Sequence, residues 1–385
     1  MSALQCKPSQ LLQLAKATII QPMLPHFHKG QAGRILIIGG SEDYTGAPFF
    51  LGHALMQMGC DLTHVVCDAV AGSTLKTYSP DLMIHPYLVS SASERVKGFK
   101  GVPKTDSEAD LVVFLDDSPS DVKAFIDSHV TLRINSVVSR SINVTVVGPG
   151  LGRDPLVLYT AQKTLALILL SGNPVIIDAD GLYLVSLKPS ILTDALNSEQ
   201  SNSQVVLTPN IMEFQRLCKA VNVSVDLEKL SSKDPEARDT YTTELATLAS
   251  NRLHNVSLLV KGYHDIVVNG KTSMVLDHSK SVIPSLRRCG GQGDTLTGIL
   301  ATAMAWAANY QKGRLWDIYE HSHVVEGLIG RKKLTKDEGI ILSCYLATLI
   351  LRKSSSQAYA EKKRSMLASD VGKFIGSSYE DLVGE

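Results

Sequence analysis

A repeated pattern constrains the fold most strongly: short apolar runs rich in Val, Ile and Leu alternate with segments of helical periodicity, and a turn follows each run. The runs that predict strands occupy residues 34–38, 62–67, 82–85, 143–147, 174–177, 204–207 and 257–260. Helices are predicted at 47–58, 155–171, 181–188, 212–221 and 240–254. Such alternation is typical of parallel strands joined by crossover helices. It predicts an α/β protein whose mostly parallel central sheet has helices on both faces.

Small and polar residues follow directly after five of these runs, where the predicted strands end. The loops are Gly39-Gly40-Ser41, Gly148-Pro149-Gly150-Leu151-Gly152, Asp178-Ala179-Asp180-Gly181, Thr208-Pro209-Asn210 and Lys261-Gly262. In open parallel sheets, ligands bind beyond the carboxyl ends of the strands. Five such loops in succession therefore predict one shared binding crevice.

The segment 287–298 places an acid behind a glycine-rich turn, at the predicted start of a helix. Amides at a helix N-terminus lack intrahelical partners and favour anions, so Gly291, Gln292 and Gly293 are predicted to hold a phosphate or a developing negative charge. Asp294 would act as a general base beside them, because a carboxylate can accept the proton of a substrate hydroxyl. The alternative interpretation is a surface turn in which Asp294 is an ordinary helix cap.

Composition excludes several classes of protein. The 385 residues include 38 Lys and Arg against 38 Asp and Glu, so no net charge directs the chain to nucleic acid or to an anionic membrane. The longest apolar run, 340–351, is shorter than the ~20 residues that span a membrane. Residues 1–21 lack the pattern of a secretion signal or a mitochondrial presequence, so we expect a cytoplasmic location.

The six cysteines form no Cys-x-x-Cys pair, which argues against a zinc site or a disulfide framework. Cys289 lies inside the glycine-rich segment, but no neighbour that would activate a thiolate can be identified for it. A nucleophilic role for Cys289 is therefore not expected.

The chain is expected to form one large domain over residues 25–353. An N-terminal helical segment, 1–24, precedes it, and a C-terminal tail, 354–385, is expected to fray or to pack peripherally. Residues 89–123 are mostly polar and are predicted to be a surface insertion rather than a second domain.

Two familiar nucleotide-binding signatures are matched only in part. Gly270-Lys271-Thr272 resembles the end of a P-loop, but position 265 is Asp where that motif requires Gly. The segment also lies between runs 265–269 and 272–277, which predict a hairpin with a type I′ turn at Asn269-Gly270. Gly148 and Gly150 begin like a Rossmann fingerprint, but Arg153 occupies the position of the third glycine. Neither of these phosphate-binding motifs is expected.

Seven motifs occur in an order that resembles the ATP- or ADP-dependent NAD(P)H-hydrate dehydratases, a family with the ribokinase-like fold. They are His28-Lys29-Gly30-Gln31-Ala32-Gly33, the loop from Gly39-Gly40-Ser41 to Pro48, Gly148-Pro149-Gly150-Leu151-Gly152-Arg153, Asp178-Ala179-Asp180-Gly181-Leu182, the stretch from Leu207-Thr208-Pro209-Asn210 to Phe214, Lys261-Gly262-Tyr263-His264-Asp265 and the segment 287–298. The resemblance covers about residues 25–310 and implies a ribokinase-like α/β fold.

The resemblance implies a repair reaction: ATP phosphorylates the ring hydroxyl of the S form of hydrated NADH or NADPH, and loss of phosphate restores the dinucleotide. It assigns to ATP the residues Lys261, Gly262, Tyr263, His264, Asp265, Arg287, Arg288, Cys289, Gly290, Gly291, Gln292 and Gly293. It assigns to the hydrated dinucleotide Gly150, Asn210, Ile211, Met212, Glu213, Phe214, Gln215, Arg216 and Asp294.

Several roles stay open at this point. Glu213, in the Asn-x-x-Glu motif, is expected to help organise Mg²⁺ around the phosphates without being a direct ligand. Asp178 and Asp180 alternate at a strand end, so one is expected to face the site while the other caps the next helix. Arg216 is either a cation for a phosphate or a helix-surface residue. Tyr44 and Thr45 are favoured as substrate contacts over a purely structural turn, because binding groups concentrate on loops.

The nearest rival is a small-molecule kinase of the same fold, such as one acting on a vitamin precursor, which would use the same base and release a phosphorylated product. Loops 148–153 and 178–182 match the dehydratase pattern and favour the lyase. A catalytically inactive nucleotide-binding protein is disfavoured, because Asp294 and its glycines are present. We expect a separate epimerase to supply the substrate form; homo-oligomerisation and the preference between NADH and NADPH hydrates stay open.

Overall fold

The computed structural model describes residues 6–104, 107–197, 204–270, 272–314 and 320–384. Nine strands within these residues form one sheet in the order β3-β2-β1-β4-β5-β6-β7-β8-β9. The strands are β1 (Arg34–Ile38), β2 (Leu62–Asp68), β3 (Leu82–Leu88), β4 (Val144–Val147), β5 (Val175–Ile177), β6 (Val205–Leu207), β7 (Ser257–Val260), β8 (Asp265–Asn269) and β9 (Thr272–Leu276). Strands β1 to β7 pair in parallel, and β8 and β9 add an antiparallel hairpin at one edge. The predicted mostly parallel sheet is confirmed.

Helices cover both faces of this sheet. They are α1 (Pro8–Lys16), α2 (Gly46–Gln57), α3 (Ala69–Tyr78), α4 (Glu108–Asp116), α5 (Ser120–Phe125), α6 (Leu132–Val138), α7 (Pro155–Leu170), α8 (Asp180–Leu187), α9 (Ser190–Leu196), α10 (Ile211–Ala220), α11 (Leu227–Leu230), α12 (Pro235–Arg252), α13 (Gln292–Gln311), α14 (Ser322–Ile329), α15 (Lys336–Lys362), α16 (Ala368–Gly372) and α17 (Ile375–Val383). The five predicted helices correspond to α2, α7, α8, α10 and α12. Only α12 differs by more than one or two residues at either end, because Asp234 caps it and Pro235 begins it earlier than apolar spacing alone indicates.

The hairpin has its predicted strands, but its turn lies one residue later than expected. Asn269 pairs with Thr272, so Asn269 belongs to β8 and not to the turn. Gly270 has the positive φ, +54°, that a tight two-residue turn requires. Lys271 lies outside the described residues, so the turn type stays a prediction.

The central strands are buried on both faces, as their unbroken apolar runs predict. Ile35 and Ile37 of β1 belong to one core cluster, and Leu36 and Ile38 belong to the cluster on the other side of the sheet. In the first cluster, α13 packs between α2 and α15 and is buried along most of its length. The helix that carries the predicted base is therefore held inside the protein rather than on its surface.

Residues 89–123 are more deeply packed than predicted. Leu111, Phe114 and Leu115 of α4 and Val122 of α5 are buried in the second core cluster. Their spacing along α4 places the three apolar side chains on one helical face. The segment is polar on average, yet one stripe of it completes the core, which composition alone does not reveal.

The predicted boundary between residues 353 and 354 falls inside α15, which runs without interruption from Lys336 to Lys362. Ser354, Ser355 and Ala358 are buried, and the helices α16 and α17 that follow pack against α2 and α15. The expected peripheral tail is therefore part of the main body of the protein. The polar side chains after residue 353 suggested solvent exposure, but small serines and alanines pack closely between helices.

The N-terminal segment contains the predicted helix, α1, whose Leu11, Leu14 and Ala15 join the first core cluster. The Tyr345 hydroxyl of α15 donates a hydrogen bond to the Pro8 carbonyl at 2.8 Å. Within the described residues, no helix is long and apolar enough to cross a membrane.

The close packing of α13 on α2 predicts a large effect of a small substitution. A Cβ atom on Gly298 would lie 2.5 Å from the Leu51 carbonyl oxygen, so Gly298→Ala should lower the free energy of unfolding by about 1–3 kcal/mol through overpacking. Gly327, exposed in α14 with nothing within 4 Å of its Cβ position, is the matched control. Gly327→Ala should stabilise by about 0.5–1 kcal/mol, and equal responses in urea unfolding would contradict the packing described here.

Candidate active site

One buried carboxylate joins three elements at the carboxyl edge of the sheet. Asp178 follows β5 and is only 2% exposed. It accepts hydrogen bonds from Lys261 Nζ at 2.8 Å, from Thr297 Oγ1 at 2.6 Å and from the Ala179 N–H at 2.9 Å. Lys261 comes from the end of β7 and Thr297 from α13, so Asp178 fixes the position of a lysine and of a helix relative to β5.

The position of Asp178 depends on the close approach of the loop after β4 to the loop after β5. A Cβ atom on Gly148 would lie 1.9 Å from the Asp178 carbonyl oxygen, and one on Gly181 would lie 2.4 Å from the Val147 carbonyl oxygen. Between the two contacts, Ala179 has φ +49° and ψ −119°, a conformation that L-residues rarely adopt. Such strain persists where the surrounding structure enforces it, and it is common at functional sites.

The two alternating aspartates have different partners, and the expectation that the second one caps the next helix is wrong, because Asp180 is the first residue of α8 and the N-cap is Ala179, without a side-chain cap. Asp178 faces the buried centre, whereas Asp180 begins α8 and accepts a hydrogen bond from the Gly152 N–H at 3.0 Å. The other Asp180 oxygen lies 3.7 Å from Arg153 Nε.

Asp294 is the third residue of α13, and Gly291 is the N-cap with φ +91°. The first three helical N–H groups are those of Gln292, Gly293 and Asp294, which have no acceptor inside the helix. The predicted set, Gly291 to Gly293, thus belongs to the four N–H groups that precede the first helical hydrogen bond, from the Thr295 N–H to the Gly291 carbonyl. A Cβ atom on Gly291 would lie 2.8 Å from both Phe50 and Ala368, so α2 and α16 enclose this turn tightly.

The charges around Asp294 give it the ionisation behaviour of a base that works near neutrality. The pKa of Asp294 is raised to about 7, mainly by burial and next by the Asp178 carboxylate, while Lys261 opposes both. Burial lowers the pKa of Lys261, but Asp178 and Glu213 outweigh it, so the pKa is raised and the ammonium group stays charged. Burial also raises the pKa of Glu213, against the attraction of Lys261.

The Asn-x-x-Glu motif forms a reciprocal cap at the start of α10. The Asn210 side chain accepts hydrogen bonds from the N–H groups of Met212 and Glu213, and Glu213 Oε2 accepts one from the Asn210 N–H at 2.8 Å. The Lys261 N–H donates to the Pro209 carbonyl at 2.8 Å, which ties this cap to the loop after β7.

Phe214 is a correction to the predicted dinucleotide-binding set. Its side chain is 0% exposed and belongs to the second core cluster, so it has no surface to offer a ligand. Its neighbours Ile211 and Met212 are exposed, and Gln215 and Arg216 are half-buried. The side chains from Asn210 to Arg216 therefore do not all face the same surroundings, because one position per helical turn must face the core.

A pocket with a cavity volume of about 180 Å³ opens beside the start of α13. It is lined by eight of the residues assigned to ATP: Lys261, Gly262, Tyr263, His264, Asp265, Arg288, Gln292 and Gly293. Asp294, the next residue in the helix, is not part of this lining. Lys261, which lines the pocket and is hydrogen-bonded to Asp178, connects the pocket with the acids around Asp294.

Four residues assigned to ATP do not line this pocket: Arg287, Cys289, Gly290 and Gly291. Cys289 packs against the small apolar cluster of Ala358, Met366 and Val371, and burial raises the pKa of its thiol, so the side chain is a neutral packing group. Gly291 contributes to the site by its positive φ, which shapes the turn before α13.

Two residues of the Lys261–Asp265 loop, Asp265 and His264, already have partners within the chain. Asp265 accepts hydrogen bonds from the Gly262 N–H at 3.0 Å and from Arg352 at 2.9 and 2.6 Å, so its carboxylate shapes the loop. His264 lies between two acids, with Nδ1 2.5 Å from Asp239 and Nε2 3.6 Å from Asp277. Tyr263 is exposed at the pocket wall.

The loop after β1, residues 39–45, contacts the loop after β4. A Cβ atom on Gly150, which has φ +63°, would lie 2.5 Å from the Tyr44 carbonyl oxygen. The Thr45 hydroxyl lies 3.0 Å from the Tyr78 hydroxyl, which gives it a structural partner, whereas the Tyr44 side chain is 57% exposed. Of the two predicted substrate contacts, Tyr44 has the freer side chain.

Several residues of the site were missed by sequence reasoning. Thr297 could have been found, because it lies three residues after Asp294 and therefore on the same face of the helix. His278, Ser285 and Arg352 also line the pocket, but they lie in a loop and in α15, where no local pattern marks them.

The chain matches a family model described as NAD(P)H-hydrate dehydratase over residues 35–114 and 119–370. The match thus includes most of the predicted insertion and extends well past residue 310, where the motif resemblance ended. The chain is 36% identical to the ATP-dependent (S)-NAD(P)H-hydrate dehydratase of Candida albicans, with 98% of this chain and 96% of the relative covered. It is 35% identical to the protein of the same description from Saccharomyces cerevisiae, with 97% and 98% covered.

Solved structures share the fold at low identity. The ADP/ATP-dependent NAD(P)H-hydrate dehydratase of Bacillus subtilis, co-crystallised with ATP and Mg²⁺, has a TM-score of 0.56 and 15% identity, with 96% of this chain and 97% of that chain covered. A ribokinase-like superfamily protein of Enterococcus faecalis has a TM-score of 0.55 and 19% identity, with 99% and 96% covered. The predicted ribokinase-like α/β fold is confirmed.

The raised pKa of Asp294 predicts a cost in stability. The folded-state pKa of about 7 exceeds the ordinary value of 3.8, so ionisation opposes folding progressively above pH 3.8 and fully above pH 7. Asp294→Asn should therefore raise the free energy of unfolding at pH 8 by about 1–2 kcal/mol, after allowance for solvent screening of a half-buried group. The gain should shrink as the pH falls below 7 and vanish near pH 4.

Urea unfolding at several pH values measures this effect. Glu236, exposed in the first turn of α12, provides the control, since Glu236→Gln removes a carboxylate from a helix start without relieving burial. A pH-independent difference for Asp294→Asn, or an equal gain for Glu236→Gln, would contradict the electrostatic account.

Proposed function

Because this chain belongs to the NAD(P)H-hydrate dehydratase family, we propose that it uses ATP to dehydrate the S form of hydrated NADH and NADPH. The observation that carries this function is Asp294, a carboxylate whose pKa is raised by burial to about 7, at a helix start with free N–H groups and beside a charged lysine. Relatives that cover nearly the whole chain are described by this activity.

Asp294 is proposed as the general base. A base with a pKa near the working pH combines a high ionised fraction with a useful affinity for the proton. Asp294 faces Asp178 and Glu213 rather than the nucleotide pocket, so the substrate hydroxyl approaches from the side of α10. Lys261 lines the pocket and is hydrogen-bonded to Asp178, so the γ-phosphate can meet the hydroxyl beside this lysine and Asp294.

The N–H groups of Gln292 and Gly293 and the Lys261 ammonium are proposed to hold the transferring phosphoryl group. All three residues line the pocket, and a Cβ atom on Gly293 would lie 3.5 Å from Lys261 Nζ. Donors that are fixed before reaction need no reorganisation when negative charge develops on the phosphoryl oxygens. Asp178 supplies this fixation by holding Lys261 and Thr297.

The reaction has two steps. Asp294 accepts the hydroxyl proton, the ring oxygen bonds to the γ-phosphorus of ATP, and the bond from that phosphorus to ADP breaks. The carbon–oxygen bond of the phosphate ester then breaks with its electron pair leaving on phosphate. A proton is lost from the neighbouring ring carbon, and the ring double bond is restored. Phosphorylation thus replaces hydroxide, a poor leaving group, by phosphate.

Mg²⁺ fits this site as an ion held largely by the phosphates of ATP. Glu213 Oε2 is engaged by the Asn210 N–H, so Glu213 would act on the waters of the ion rather than as a direct ligand. Mg²⁺ usually keeps several waters and takes one or two carboxylates in phosphoryl-transfer sites. Bound there, it neutralises charge on the phosphate oxygens.

Other features of the function remain predictions. A separate epimerase would convert the R form of the hydrate into the form that this protein accepts. A cytoplasmic location and a homo-oligomeric assembly are compatible with the chain, and the preference between the two hydrates stays open.

An assay with hydrated NADH, ATP and Mg²⁺ tests the function. We expect the dihydronicotinamide absorbance and free phosphate to appear together and in equal amounts. Accumulation of a stable phosphorylated product would instead identify a small-molecule kinase, and the absence of both signals would reject the dehydratase.

Asp294→Asn should lower kcat by about 10²–10⁴-fold, because removal of a general base costs an enzyme this much. ATP affinity, measured by calorimetry, should change little, since Asp294 does not line the nucleotide pocket. In the unmutated protein, kcat/KM should fall tenfold per pH unit below about pH 7, where Asp294 becomes protonated. A variant that retains most of its activity would remove Asp294 from this role.

A further inference from the structure

Two arginines from different loops lie over one tyrosine ring at the carboxyl edge of the sheet. The guanidinium carbon of Arg153 is 4.1 Å from the centre of the Tyr183 ring, and that of Arg216 is 5.4 Å from it. Arg153 follows the Gly150-Leu151-Gly152 turn after β4, Tyr183 lies near the start of α8, and Arg216 lies in α10. The end regions of three neighbouring strands, β4, β5 and β6, thus contribute to one cluster.

The cluster carries more positive charge than its neighbours neutralise. Asp180 lies 3.7 Å from Arg153, while its other oxygen accepts the Gly152 N–H. Among the described residues, no carboxylate lies within 4.0 Å of the Arg216 guanidinium; Glu213, on the same helix face, attracts it from farther away while its Oε2 caps Asn210. The Arg153 side chain is 49% exposed. Two guanidinium groups held together with one ion-paired acid form a site for a doubly charged anion.

The position of the cluster selects the anion. Glu213 contributes to the electrostatic environment of Asp294, and Arg216 lies three residues after Glu213, on the same face of α10. The cluster is therefore next to the proposed reaction centre on the substrate side, outside the nucleotide pocket. In a dinucleotide, a single ribose separates the nicotinamide ring from the pyrophosphate, whereas the 2′-phosphate of the NADPH form lies on the far ribose.

We propose that Arg153 and Arg216, oriented by the Tyr183 ring, bind the pyrophosphate of the hydrated dinucleotide. This inference rests on the proposed function and adds Arg153 and Tyr183 to the residues that bind the substrate. Guanidinium groups match phosphate oxygens with paired hydrogen bonds, and stacking on a ring fixes their planes before the ligand arrives. Asp180 holds Arg153 in place until the pyrophosphate replaces it as the partner.

The test compares Arg153→Gln with the unmutated protein on three substrates: hydrated NADH, hydrated NADPH and hydrated dihydronicotinamide riboside, which has no phosphate. Loss of charge-assisted hydrogen bonds should raise KM for both dinucleotides by about 10- to 100-fold, with little change in kcat. The riboside should react with the same kinetic constants in both proteins. Arg133→Gln is the matched control, because Arg133 of α6 lies 4.0 Å from the ring of Tyr87 in β3, the edge strand three places from β4 in the sheet.

Three outcomes would overturn the proposal. Equal losses on the riboside would show that Arg153 only supports the loop, and a loss confined to hydrated NADPH would assign it to the 2′-phosphate. An unchanged KM for both dinucleotides would remove it from substrate binding.

Binding of NADH, the expected product, separates this inference from the proposed activity. Calorimetry should show NADH affinity about 10- to 100-fold weaker in Arg153→Gln and unchanged in Arg133→Gln. If the unmutated protein converts none of the three substrates but binds NADH through Arg153, the activity fails and the pyrophosphate site stands. If NADH binding does not depend on Arg153, the site fails whatever the activity.

Discussion

The site depends on the buried ion pair between Asp178 and Lys261. A charge removed from water is costly unless a partner and hydrogen bonds compensate it, and Asp178 has the Lys261 ammonium, the Thr297 hydroxyl and the Ala179 N–H. The same pair sets the electrostatics of Asp294, since Asp178 raises its pKa and Lys261 lowers it. The Asp178–Lys261 pair thus determines both the arrangement of the site and the pKa of Asp294. The strain at Ala179 and the missing side chains at Gly148 and Gly181 are what this arrangement requires of the backbone.

The sequence predicted the sheet well because every central strand is buried on both faces. Seven apolar runs gave strands within a few residues of the observed bounds, and the loops after them met at one edge. Packing after residue 310 was harder to predict, since the burial of Ser354, Ser355 and Ala358 depends on helices that are distant in sequence. For the same reason, the apolar stripe of α4 did not stand out from the polar residues around it.

The residues of the site were likewise predictable where a local pattern marks them, and not where they come from distant segments. Backbone-shaped features such as Gly291 and the Asn210–Glu213 cap were visible, because glycines and capping residues mark local conformation. Residues that reach the site from distant segments, such as Arg352, carry no local signal. Phe214 failed as a substrate contact because a motif is continuous along the chain, whereas a helix turns each successive side chain by about 100°. A motif therefore locates a binding helix better than it selects the residues that touch the ligand.

The contact of Ala368 with the Gly291 turn has a consequence for the order in which the protein becomes functional. The turn needs Phe50 of α2 on one side and Ala368 of α16 on the other, and the pocket wall includes Leu351, Arg352 and Ser355 of α15. A chain emerging from the ribosome has Asp294 and its glycines long before it has α15 and α16. The growing chain therefore lacks part of the pocket wall and one side of the Gly291 turn until those late helices are synthesised.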